Sequence, residues 1–183
     1  MGRVLRGVRR LDLVAAILGA CCMSVSGLAR AAPPSMAFEL PLLDGTKFVR
    51  LTDFSGRPVL LNFWGSDCPP CVKEMPLLVA ASKRYSAVQF LGIAVDDRVS
   101  AARFLDRLPP AYPQLIAPNA PEVLMRRFGN KLGALPYTVV LNARHQVCIT
   151  HLGAVDAPWV AAAVSSCGAP EQPASAAGTA YRK

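Results

Sequence analysis

The chain has 183 residues, 52% hydrophobic and 17% charged, which excludes a disordered chain and a charged coiled coil. Its 16 Pro and 13 Gly follow no period, so a collagen-like repeat is excluded too. The formal charge of +8 points toward nucleic acid only until the start of the chain is read separately.

Arg3, Arg6, Arg9 and Arg10 precede an apolar stretch from Leu13 to Ala29, and Ala29-Arg30-Ala31 follows. A basic n-region, an apolar h-region and an A-x-A site predict an export signal over 1–31. The stretch is diluted by Gly, Ser and Cys, short of the roughly 20 strongly apolar residues that span a bilayer. Leu18-Gly19-Ala20-Cys21 also reads as a lipobox, and Arg9-Arg10 as a twin-arginine pair followed by an unfavourable Asp12. Cleavage after Ala31, lipidation at Cys21 and an uncleaved anchor all remain open, and each predicts a periplasmic globular part. Without residues 1–31, 15 basic residues face 11 acidic ones, a net +4. No basic tract is interleaved with aromatics, so no nucleic-acid partner is expected.

Residues 32–37 read as a linker, 38–168 as the domain and 169–183 as a disordered tail. Two short strands flank the turn Leu43-Asp44-Gly45. Val59–Trp64 is apolar on both faces, as a strand covered by helices would be. Cys68-Pro69-Pro70-Cys71 follows and opens a helical pattern to about Tyr85. Val88–Val95 is a second buried strand, and Ser100 is expected to cap a helix running to about Leu108. A short strand at Gln114–Ile116 and a helix from Pro121 to Phe128 come next. Tyr137–Leu141 and Val147–Leu152 form a hairpin, and Pro158–Ser166 closes the domain as a helix. Alternating strands and helices predict an α/β fold with a mainly parallel sheet, to which the closing hairpin adds antiparallel strands.

With Cys21 and Cys22 in the signal, the domain keeps Cys68, Cys71, Cys148 and Cys167. A C-x-x-C where a strand feeds a helix has a specific use. The first Cys sits at the helix N-terminus, where free N–H groups and the dipole favour the thiolate. The second, one turn on, resolves the mixed disulfide. Zinc would need a second ligand pair, which Cys148, Cys167, His145 and His151 do not provide by spacing. His145 and His151 read as turn and packing residues. Neither metal nor cofactor is expected. Cys148 and Cys167 either form a second disulfide or pack as small apolar residues.

The segment Asn62-Phe63-Trp64-Gly65-Ser66-Asp67-Cys68-Pro69-Pro70-Cys71-Val72-Lys73-Glu74-Met75-Pro76, with Leu135-Pro136-Tyr137-Thr138, resembles the thioredoxin superfamily, in its TlpA/ResA branch of exported thiol–disulfide oxidoreductases. The resemblance implies a thioredoxin-like fold: a central mixed β-sheet flanked by helices, with an N-terminal β-hairpin and an inserted segment. It implies Cys68 as attacking thiol, Cys71 as resolving thiol and Glu74 as a carboxylate tuning them. It also implies a cis peptide at Leu135–Pro136 that meets an extended substrate. Trp64 borders the motif and reads as core more than as a substrate platform, and it is still included among the substrate-binding residues. The expected partners are protein disulfides or thiols, with a membrane-bound reductase as electron donor, and the expected uses include cytochrome c maturation.

Two positions depart from the family pattern. Asp67 stands where Trp is usual and opposes a thiolate by charge. Asn62 stands where thioredoxin has a buried Asp, and Asn transfers no proton. Pro70 has no N–H to offer Cys68. These features predict a reductant or mild exchanger rather than a strong oxidant. Two other readings fit the chemistry less well. A peroxiredoxin-like peroxidase has Thr where Gly65 stands, and a Sco-like copper module has C-x-x-x-C, one residue longer than the spacing here.

Overall fold

The computed structural model describes residues 36–168; the predicted signal, most of the linker and the predicted tail lie outside them. In chain order the elements are β1 (Glu39–Pro41), β2 (Phe48–Arg50), β3 (Val59–Trp64), α1 (Pro69–Arg84), β4 (Gln89–Ala94), α2 (Arg98–Leu105), β5 (Gln114–Ile116), α3 (Pro121–Arg127), β6 (Tyr137–Leu141), β7 (Val147–Leu152) and α4 (Ala157–Ser166). A 3-10 turn at Leu51–Phe54 links β2 to β3.

All six residues of β3 are buried, which requires cover on both faces. The strand obtains it at the centre of a five-stranded sheet ordered β5-β4-β3-β6-β7. It runs parallel to β4 and antiparallel to β6. Leu61 and Phe63 point to one face, where Val49 and Leu51 from the hairpin side and Leu124, Met125 and Phe128 from the α3 side cover them. Leu60 points to the other, against Leu78 and Ala81 of α1 and Val160, Ala163 and Val164 of α4. Each such fully buried side chain is worth about 1.5–3 kcal/mol. Trp64 extends that second face toward Cys71, Met75, Ala101 and Phe104. The fold is therefore α/β and thioredoxin-like, with the two-stranded β1–β2 hairpin as a separate sheet.

Two sequence expectations need correction. Asp97, not Ser100, caps α2: its Oδ1 accepts from Val99 N at 2.9 Å and Ser100 N at 3.0 Å. The helix also ends at Leu105 rather than Leu108. Beyond it, Arg107 N and Leu108 N bond back only three residues, a tightened final turn. Cys148 and Cys167 are bonded, with Cα atoms 5.8 Å apart. His145 takes the turn position with φ 57° and meets the Phe54 carbonyl at 3.1 Å, while His151 stacks on Trp159 at 5.0 Å.

Candidate active site

Cys68 is the N-cap of α1, and Pro69 and Pro70 fill the first two helical positions, where no intrahelical N–H is needed. Cys68 and Cys71 form a disulfide with Cα atoms 5.3 Å apart. Cys71 N–H points back at Cys68 Sγ, 3.3 Å away. A donor from the third helical position thus occupies the role that Pro70 leaves empty. Cys68 is half-buried and Cys71 only 1% exposed, so an incoming sulfur meets Cys68 first.

The loop before Cys68 is held from the neighbouring strand. Because β3 and β4 are parallel with Trp64 opposite Ala94, Asp96 emerges level with Ser66. Its Oδ2 accepts the Ser66 N–H. A Cβ on Gly65 would come within 3.0 Å of Asp96 Oδ1 and 3.4 Å of Leu135 Cδ1, so glycine allows this close approach. The ends of adjacent parallel strands were the signal that marks Asp96.

Leu135–Pro136 is cis. Leu135 and Cys68 both pack against the cluster of Trp64, Cys71 and Met75. Buried Asn130 shapes the approach to this proline: its Nδ2 donates to Ala134 O at 2.8 Å and its Oδ1 accepts from Gly133 N at 3.0 Å. Gly153 N–H donates to Pro136 O at 2.9 Å.

Glu74 is buried, 3% exposed. Asn62 Nδ2 donates to its Oε1 and Val155 N–H to its Oε2, each at 2.8 Å. Burial pushes the carboxyl above its ordinary range, and the Val155 and Asn62 bonds oppose that rise. Glu74 thus places a buried carboxyl one turn beyond Cys71 on α1. The Val155 amide has no sequence signature; only the tertiary fold brings it here.

Trp64 is the core residue that the sequence favours, and its inclusion among the substrate-binding residues is set aside. It is 0% exposed, and its Nε1–H donates to Gln114 Oε1 at 2.9 Å, so no substrate can lie on it. It floors the dithiol from the core side. Gln114 lies over Gly92, where a Cβ would come within 1.9 Å of Gln114 Oε1. The sequence showed neither half of that contact.

The sequence matches the AhpC/TSA family over residues 30–150. The chain belongs to the AhpC/TSA family. This member is 30% identical over 129 residues to the thiol-disulfide oxidoreductase ResA of Halalkalibacterium halodurans, covering 69% of this chain and 70% of the relative. It is 32% identical over 126 residues to the thiol:disulfide interchange protein DsbE of Xylella fastidiosa, covering 67% and 61%. Its fold is similar to that of a thioredoxin family thiol:disulfide interchange protein from Chlorobium tepidum, with TM-score 0.64, 26% identity and coverage of 76% and 99%. This AhpC/TSA member is a TlpA/ResA-like thiol–disulfide oxidoreductase of the thioredoxin superfamily.

Proposed function

We propose that this family member works in the periplasm as a reductant of protein disulfides, with Cys68 as attacking and Cys71 as resolving thiol. The observation that carries this reading is the contrast between the two sulfurs: Cys68 caps α1 and is accessible, whereas Cys71 is sealed behind it. In the reduced protein, the Cys68 thiolate attacks a substrate disulfide, forms a mixed disulfide and expels one substrate thiolate. Cys71 then passes its proton to Glu74 and attacks Cys68 Sγ. The second substrate thiolate leaves, and two electrons have moved from the Cys68/Cys71 pair to the substrate.

Half-buried Leu135, packed on the same cluster as Cys68, would offer its backbone to an extended substrate, with buried Pro136 fixing the loop behind it. A membrane-bound reductase would reload the dithiol, by resemblance to the TlpA/ResA branch. Apocytochrome c thiols are one substrate class in that resemblance, and the predicted signal over 1–31 supports export. Among the described residues no helix is long and apolar enough to cross a membrane. An insulin-reduction assay beside a copper titration separates an oxidoreductase from a copper-binding module. Cys71→Ser is expected to trap mixed disulfides through Cys68. Trapping by Cys68 variants instead would reverse the assignment.

A further inference from the structure

The second disulfide, Cys148–Cys167, takes no part in the exchange above. It closes a segment made of β7, the turn at Gly153 and α4. Two backbone amides in the middle of that segment reach the reaction centre. Gly153 N–H holds Pro136 O at 2.9 Å, and Val155 N–H holds Glu74 Oε2 at 2.8 Å. Of the two arms that carry this turn, β7 is an edge strand with no fully buried residue, whereas α4 is anchored in the core by Val160, Ala163 and Val164. The bond joins exposed Cys148 to buried Cys167 at the ends of the two arms.

We infer that the Cys148–Cys167 bond is a positioning device that keeps the Val155 and Gly153 amides on Glu74 and Pro136. The inference rests on the reading of Glu74 as proton partner of Cys71. Opening the crosslink enlarges the set of arrangements open to the segment, and local opening begins at its turn. Glu74 then loses a donor that favours its charged form while it stays buried, so it holds its proton to higher pH.

The groups around Glu74 do not substitute for that donor. Asn62 from β3 and Thr138 from β6 do not titrate. Tyr112, ahead of β5, is kept protonated by burial. Asp156 is engaged at Trp159 N, capping α4, and His151 on β7 stacks on Trp159. Cys71 lies one turn back on α1 itself.

The test uses the full chain with Cys68→Ala and Cys71→Ala, in which dithiothreitol opens only the second disulfide. Carbon-13 NMR follows the Glu74 carboxyl against pH, and hydrogen exchange follows the two amides. Opening the bond is expected to move the Glu74 midpoint upward and to speed exchange at Val155 and Gly153 roughly tenfold in a folded chain. An unchanged midpoint with unchanged amide protection overturns the inference. A chain that unfolds also overturns it, because the bond then staples the whole fold. With the dithiol intact, Cys148→Ser with Cys167→Ala should shift the pH–rate profile of exchange, but not in a Glu74→Gln background. If Glu74→Gln alone keeps the wild-type profile while opening the bond still moves the Glu74 midpoint, the positioning is supported and only the proton-partner reading fails.

Discussion

Asn62 and Glu74 lie 12 positions apart in the chain, on β3 and α1, and Asn62 Nδ2 donates to Glu74 Oε1 at 2.8 Å. The same Nδ2 donates to Thr138 Oγ1 at 3.1 Å, which fixes the amide between β6 and the helix. An amide at this position transfers no proton, but it orients the Glu74 carboxyl, the proposed proton partner of Cys71. The amide at residue 62 thus joins β3 to the buried carboxyl of Glu74 on α1.

Asn62→Asp tests that division of roles. Two carboxyl groups at this separation in a buried site do not both ionise, so the pair holds one proton to higher pH and titrates as a unit. The midpoint of the pH–rate profile for disulfide exchange is expected to move upward. A profile superimposable on wild type would mean that Glu74 does not govern the reaction.

Glu74 also links stability to pH. Burial raises its folded-state pKa above the unfolded value. Its contribution is then fully present below the unfolded value and is lost as pH rises through the raised folded value. Denaturant titrations from about pH 4 to about pH 8 should show wild type losing stability relative to Glu74→Gln as pH rises. Parallel curves for the two proteins would show that Glu74 titrates alike in both states.

Much of the fold was legible because its strands carry their own pattern. Val59–Trp64, Gln114–Ile116, Tyr137–Leu141 and Val147–Leu152 stand where apolar runs between turn residues put them. The α2 cap was misread because Asp97 and Ser100 are both good capping residues, and only geometry chooses between them. Trp64 reads as core from the sequence and is core, although nearness to Cys68 in the chain does not by itself say which face of β3 its side chain takes. The dithiol and the Leu135–Pro136 loop were readable as motifs. The supports at Val155, Asn130 and Gln114 were not, since each depends on chain segments brought together by the fold.

Gly92→Ala probes the floor under the dithiol. The added Cβ meets the end of Gln114, but that side chain is buried and holds the Trp64 indole, so it has little room to retreat. Overpacking of this kind costs about 1–3 kcal/mol. Thermal unfolding should show the loss, and tryptophan fluorescence should shift as the Trp64–Gln114 bond breaks. Wild-type stability with an unshifted spectrum would show that Gln114 moves aside without cost.

The direction of electron flow depends on how well the protein stabilises the Cys68 thiolate, for which the Cys71 N–H is the donor from α1 and Pro70 withholds a second. Cys68 Sγ accepts the Cys71 N–H at 3.3 Å, while residues 69 and 70, both proline, supply none. Pro70→Ala adds one amide in the first turn of α1, beside the sulfur. A hydrogen bond to a charged group is worth about 1.5–3 kcal/mol. Stabilising the reduced form by that amount raises the potential of this two-electron couple by about 30–60 mV. Equilibration in glutathione buffers should therefore find the wild type well below the roughly −120 mV of a dedicated oxidant, and Pro70→Ala more oxidising than wild type. The thiol pKa of Cys68, followed by alkylation against pH, should fall in the same variant. A wild-type potential near that of a dedicated oxidant would overturn the reductant reading. An unchanged potential in Pro70→Ala would show that the residue-70 amide does not reach the sulfur, leaving Asp67 to account for a weak thiolate.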